Sequence, residues 1–145
     1  MAHPSKSART PASSASSSEE MSLACMGAQT QLEFELAFFG AILERHASHL
    51  EMLRVQAKNL ALVKRHVESL QMDRRIVQLA PNDSTAHYNQ ACSYALLNQP
   101  EPALRMLRKA VELGYRDFRY IRQDRDLASI RKDPRFKQLL REFAG

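Results

Sequence analysis

The chain has 145 residues, 44% hydrophobic and 26% charged, with four glycines, two cysteines and a net charge of +5. That length supports one domain with a modest core, and a mixture rich in Leu, Ala, Arg, Glu and Gln without Trp favours helix. No apolar run reaches the length of a membrane span. Cys25 and Cys92 lie far apart without the spacing of metal ligands and point to a reducing compartment, hence the cytoplasm.

Residues 1–28 read as a disordered tail, because "SKSARTPASSASSSEE" has almost nothing to bury against its ordering entropy. Lys6 and Arg9 are followed by Ser and Ala instead of an apolar stretch, so no secretory signal is expected. Helical periodicity starts at Leu32. The stretch "LEFELAFFGAILERH" is apolar on more than one face, through Leu32, Phe34, Leu36, Phe38, Phe39, Ile42 and Leu43. Either Met21–Gln29 folds over it, or residues 32–43 offer a patch for self-association or for a partner.

Clear breaks follow at Pro81–Asp83 and Asn98–Pro102. Between them, Tyr88, Ala91, Cys92 and Ala95 share one helical face, and Asp83 or Ser84 can cap the start. The next helix is expected to begin at Pro100 or Pro102, since a first turn tolerates Pro. It buries Ala103, Leu104, Leu107, Ala110 and Val111, and Gly114 stands where a C-terminal cap belongs. The short turn makes the two helices antiparallel, with Ala91 and Ala103 permitting close backbone approach. A last helix is capped by Asp133, opened by Pro134 and made amphipathic by Phe136, Leu139, Leu140 and Phe143.

A shift of 34 residues lays "RIVQLAPND" (Arg75–Asp83) on "KAVELGYRD" (Lys109–Asp117), and the register extends back to Ile42 and to Leu53, Gln56 and Ala57. On these residues the chain resembles the tetratricopeptide repeat family. The unit Ser84–Asp117 carries Ala91, Tyr94, Ala103, Leu107 and Ala110 at the family's small, aromatic and large positions. His87 replaces the usual aromatic residue, Gln90 the usual Leu and Tyr115 the usual Pro. The unit Leu50–Asp83 keeps Ala57, Leu60 and Pro81, with Ser69 and Asp73 where Ala and a large apolar residue are usual. Gly114-Tyr115, Asp117-Phe118, Asp126-Leu127, Arg131 and Asp133-Pro134-Arg135-Phe136 resemble the segment after the last repeat in many bacterial members, a cap in which Phe118, Leu127, Ile130, Phe136 and Leu139 cover the open end.

The resemblance implies an all-α, right-handed superhelix of antiparallel helix hairpins. About two and a half repeats are expected: a partial repeat at 29–49, repeats at 50–83 and 84–117, and a cap at 118–145. It implies a non-catalytic module that binds a peptide or protein segment in a groove lined by the first helix of each repeat, with no cofactor and no metal. The positions at which some members grip a C-terminal carboxylate correspond to Arg54, Lys58, Asn89 and Arg119; Lys58 stands where that clamp wants Asn, and Gln123 where it wants a base.

Other constellations carry less. His46 and His49 are spaced to touch one metal, but nothing completes the set. Cys92 reads as a small core residue. Asp124 and Asp126 sit among arginines in "RQDRDL" and read as ion-paired or capping groups. No phosphate loop or nucleophile motif is present. The alternative function is nucleic-acid or acidic-partner binding: residues 116–145 hold nine Arg or Lys against five Asp or Glu, a net +4.

Overall fold

The computed structural model describes residues 16–145, and residues 1–15 of the expected tail lie outside that range. Helices run α1 Ser16–Arg45, α2 Leu50–Leu62, α3 His66–Leu79, α4 Ser84–Leu96, α5 Pro100–Glu112, α6 Phe118–Gln123 and α7 Pro134–Ala144, with a 3-10 turn at Arg125–Leu127. There is no strand among the described residues. The chain divides into a unit ending at Phe34 and a unit Glu35–Gly145, and the boundary falls inside α1. The described part of the first unit is helical from Ser16, within the stretch whose composition read as tail. Ala, Glu, Met, Leu and Gln are strong helix formers, and no Pro interrupts them here.

The second unit is built on one period. Leu50, Ser84 and Phe118 open α2, α4 and α6, and His66, Pro100 and Pro134 open α3, α5 and α7, each step being 34 residues. The caps repeat with it. His49, Asp83 and Asp117 accept hydrogen bonds from the backbone N–H groups of Met52, Ala86 and Tyr120, at 3.3, 3.1 and 3.0 Å. Left-handed residues end α2 and α4 at Lys64 (φ 61°) and Asn98 (φ 56°), again 34 apart. The capping segment therefore starts in the register of a further repeat, with α6 cut short after Gln123. Residues 32–45 of α1 stand one 34-residue period before α3 in sequence.

Packing follows the hairpins. α2 lies on α3, α3 on α4, α4 on α5 and on the 3-10 turn, and α5 on α7. Ala91, Ala103, Leu107, Ala110 and Val111 are all fully buried, so the small residues set the approach of α4 and α5 and Leu107 fills the space between them. Leu127, Ile130, Phe136, Leu139 and Leu140 continue that core into the cap, with Phe118 partly buried against it. Ser129 Oγ donates to the carbonyl of Ala95 at 2.7 Å and ties the cap to the end of α4. A second cluster joins Leu43, Leu53, Ala57, Ile76 and Ala86.

The polar positions of the first repeat keep the register. Ser69 and Asp73 are buried where Ala103 and Leu107 stand one period later, and each has a partner: Ser69 Oγ donates to Ala57 O at 3.0 Å, and Ser93 Oγ donates to Asp73 at 2.6 Å. Gln56 and Gln90 are likewise equivalent and buried. Gln56 donates through Nε2 to Leu36 O at 3.2 Å. Oε1 of Gln56 and Oε1 of Gln90 are both buried without a hydrogen-bond partner among the described residues, each at a cost of roughly 1–3 kcal/mol.

Candidate functional site

A groove of 620 Å³ runs along the first helices of the repeats. α2 contributes Arg54 and Lys58, α3 Ser69 and Asp73, and α4 Tyr88, Asn89, Cys92 and Ser93; Tyr115, Tyr120, Asp124 and Asp126 close it on the cap side. Arg54, Lys58 and Asn89 line this same groove. Arg119 is exposed on α6 and is not among the lining residues.

The charges are divided along the groove. Arg54 and Lys58 are one helical turn apart on α2, and Lys58 and Asn89 are exposed. Arg54 Nη2 is 2.6 Å from Asp83 and its Nε is 3.7 Å from Glu51. Asp83 is also the cap of α4. Burial pulls its carboxyl upward, but the bonds from Arg54 and from the Ala86 amide outweigh that and hold it below the usual carboxylate range. Arg54 therefore braces the start of α4, a role that needs the folded pairing of residues 29 apart.

Three carboxylates, Asp73, Asp124 and Asp126, also line the groove. Asp73 is pushed up to about 6 by burial, against the opposing hydrogen bond from Ser93. Asp124 forms no ion pair with the arginines around it in sequence, among the described residues, which corrects that part of its expected role. Its Oδ1 accepts from Asp126 N at 3.0 Å and caps the 3-10 turn, while Oδ2 accepts from the Tyr88 hydroxyl at 2.5 Å and lies 3.7 Å from Cys92 Sγ. Arg131 donates to the Asp124 backbone carbonyl instead. Burial, then the charge of Asp124, raises the Cys92 thiol; burial, then Cys92 and Asp124, raises Tyr88. Asp126 is raised by burial and by Asp124. Tyr88 and Tyr115 stack with ring centroids 4.2 Å apart.

Cys92, Asp124 and Asp126 place potential ligand atoms within 4.8 Å of one another. With Tyr88, the cluster forms a hydrogen-bonded network that anchors the cap to α4. Sequence reading missed this network because Tyr88 and Asp124 are 36 residues apart. The one signal in the sequence was Asp73, a carboxylate at an apolar repeat position.

Helix pairs recurring every 34 residues, with matching caps, define an all-α, tetratricopeptide-like helical repeat fold. No family model matches the sequence. Over 60 residues the chain is 47% identical to a chloroplastic protein of Arabidopsis thaliana, a match covering 41% of this chain and 18% of that protein. The matched segment thus spans under a fifth of that relative's length. The solved structure "MamA RS-1 ArsTM double mutant" superposes with a TM-score of 0.57 at 21% identity, over 84% of this chain and 71% of that one, and supports the fold. No described helix is long and apolar enough to cross a membrane.

Proposed function

We propose that this chain is a non-catalytic interaction module that takes a peptide or protein segment in the groove of α2, α4 and the cap. The observation that carries the reading is that one groove is lined by exposed Lys58 and Asn89 on α2 and α4 and by exposed Asp126 on the cap. Such a groove suits an extended segment that sets a carboxylate toward Lys58 and Asn89 and a basic side chain toward Asp126. Of the four proposed contact residues, Lys58 and Asn89 touch the segment. Arg54 supports them from its pair with Asp83, and Arg119 serves a segment that runs past the groove.

The test is affinity capture from nuclease-treated lysate with a Lys58→Glu/Asn89→Ala variant in parallel. The proposal expects a defined protein that the wild type retains and the variant releases. Equal retention by both would refute the groove.

A second reading rests on the basic cap. Arg119, Arg122, Arg125, Lys132, Lys137 and Arg141 are exposed and form no ion pair among the described residues, whereas Arg135 is held by Glu101 at 2.5 Å and Asp133 at 2.8 Å. Nucleic-acid binding there would weaken steeply with salt. Self-association through residues 32–43 is a further proposal, supported by the apolar run itself and by Phe38, which is 50% exposed. It expects a dimer by light scattering that Phe38→Ser returns to monomer.

A further inference from the structure

The cap end of the groove combines tyrosine rings with two carboxylates. Tyr88 of α4, Tyr115, and Tyr120 of α6 line it together with Asp124 and Asp126. Tyr88 and Tyr115 are stacked with centroids 4.2 Å apart, so each covers a face of the other. Tyr120 meets Tyr88 at 6.2 Å with the rings tilted by 47°. It does not continue the stack, and it stays 50% exposed.

The carboxylates have no counter-ion. Asp124 and Asp126 bring oxygens within 4.8 Å of each other. Asp124 is buried, and its oxygens accept from the Tyr88 hydroxyl and the Asp126 amide, both neutral donors. Asp126 is exposed, and neither carboxylate forms an ion pair among the described residues. Arg131 donates to the backbone carbonyl of Asp124, and Arg125 forms no ion pair among the described residues. His66 is near enough for its charge to act on Asp126, without an ion pair to it. The same field reaches the aromatic side: the charge of Asp124, then burial, raises the Tyr120 phenol.

We propose that this end of the groove is a subsite for one arginine side chain of the bound segment. The subsite rests on the groove being the binding surface, and it names the residue that the groove selects there. Two adjacent carboxylates without a counter-ion call for a cation. A half-exposed aromatic ring in the same lining calls for a cation with a flat, weakly hydrated face, which a guanidinium has. Its fork suits the exposed carboxylate of Asp126 while its face suits the Tyr120 ring. Asp124, held by Tyr88, adds charge without offering a donor that would compete. A lysine ammonium meets the charge as a point and forgoes both the fork and the stacking.

The test is a two-dimensional NMR titration of the full chain with arginine acetylated and amidated at its ends, beside blocked citrulline, its neutral counterpart, and blocked lysine. Blocked arginine is expected to shift the resonances of Tyr120, Asp124 and Asp126 with a Kd of about 1–10 mM. Citrulline is expected to leave them in place, and lysine to bind at least about threefold more weakly. Asp126→Asn is expected to weaken arginine by about tenfold and Tyr120→Leu by about three- to fivefold, with melting temperatures unchanged. Lys58→Glu/Asn89→Ala is expected to leave it unchanged, since the blocked amino acid brings no carboxylate. The subsite is overturned if arginine shifts nothing there, if citrulline or lysine binds as well, or if either cap variant binds like the wild type. The groove reading fails separately. It falls if Lys58→Glu/Asn89→Ala retains the captured protein as the wild type does, and it stands if capture is lost although blocked arginine shifts nothing.

Discussion

The hairpins α2–α3 and α4–α5 share their start points, caps and turn geometry at a fixed offset, yet they are held by different forces. In α4–α5 the facing positions are Ala91, Ala103, Leu107 and Ala110, all fully buried, and the contact is one of shape. In α2–α3 the matching positions carry Ser69 and Asp73, and the contact is completed by hydrogen bonds to Ala57 O and from Ser93. The backbone period therefore tolerates polar residues inside it, provided each finds a partner. Both polar residues of the first hairpin, Ser69 and Asp73, also line the groove.

The largest expected effect breaks the shape-packed hairpin. Leu107→Ala removes a fully buried side chain between α4 and α5 and should cost about 2–5 kcal/mol in a urea melt, by transfer and cavity terms together. A loss under about 1 kcal/mol would mean that the hairpin is not packed as described.

Asp73 sharpens the comparison through pH. Its folded carboxyl holds a proton to about 6, against 3.8 for an ordinary one, so the folded state binds more protons than the unfolded state between those values. Stability contributed by the protonated form is complete below about pH 4 and is lost as pH rises toward about 6, by roughly 2–3 kcal/mol. Asp83 runs in the opposite direction, since its carboxyl is held low, and adds stability as pH rises. The difference between wild type and Asp73→Asn in thermal melts across that range isolates the Asp73 contribution, and the variant should lack its slope.

The smallest effect concerns the turns. Lys64 and Asn98 hold the same left-handed position, but Lys has no short polar side chain to ease it. Lys64→Gly should stabilise the chain by about 0.5–1 kcal/mol in a urea melt, and Asn98→Gly by less. Gly114, at φ 111°, should resist the reverse change to Ala.

Much of this was legible in the sequence because the repeat writes it locally. The period, the Asp83 and Asp133 caps, Pro100 as a first-turn residue, and the small–large alternation at Ala91, Ala103 and Leu107 all act within a few residues or one hairpin. Three features were not legible. The start of α1 at Ser16 lies in a stretch whose low hydrophobicity masks good helix propensity. The Arg54–Asp83 pair joins two first helices, and spacing along one helix does not report it. The Tyr88–Asp124 bond joins a repeat to the cap and removes Asp124 from the arginines that surround it in sequence.

The central claim is that a protein segment lies along α2 and α4. A photo-crosslinking amino acid at position 89, irradiated in nuclease-treated lysate, tests it most directly. The predicted result is a discrete protein adduct that Lys58→Glu abolishes while the variant's circular dichroism stays unchanged. No adduct at position 89, together with nucleic-acid adducts from the same probe at position 122, would contradict it and move the binding surface to the basic cap.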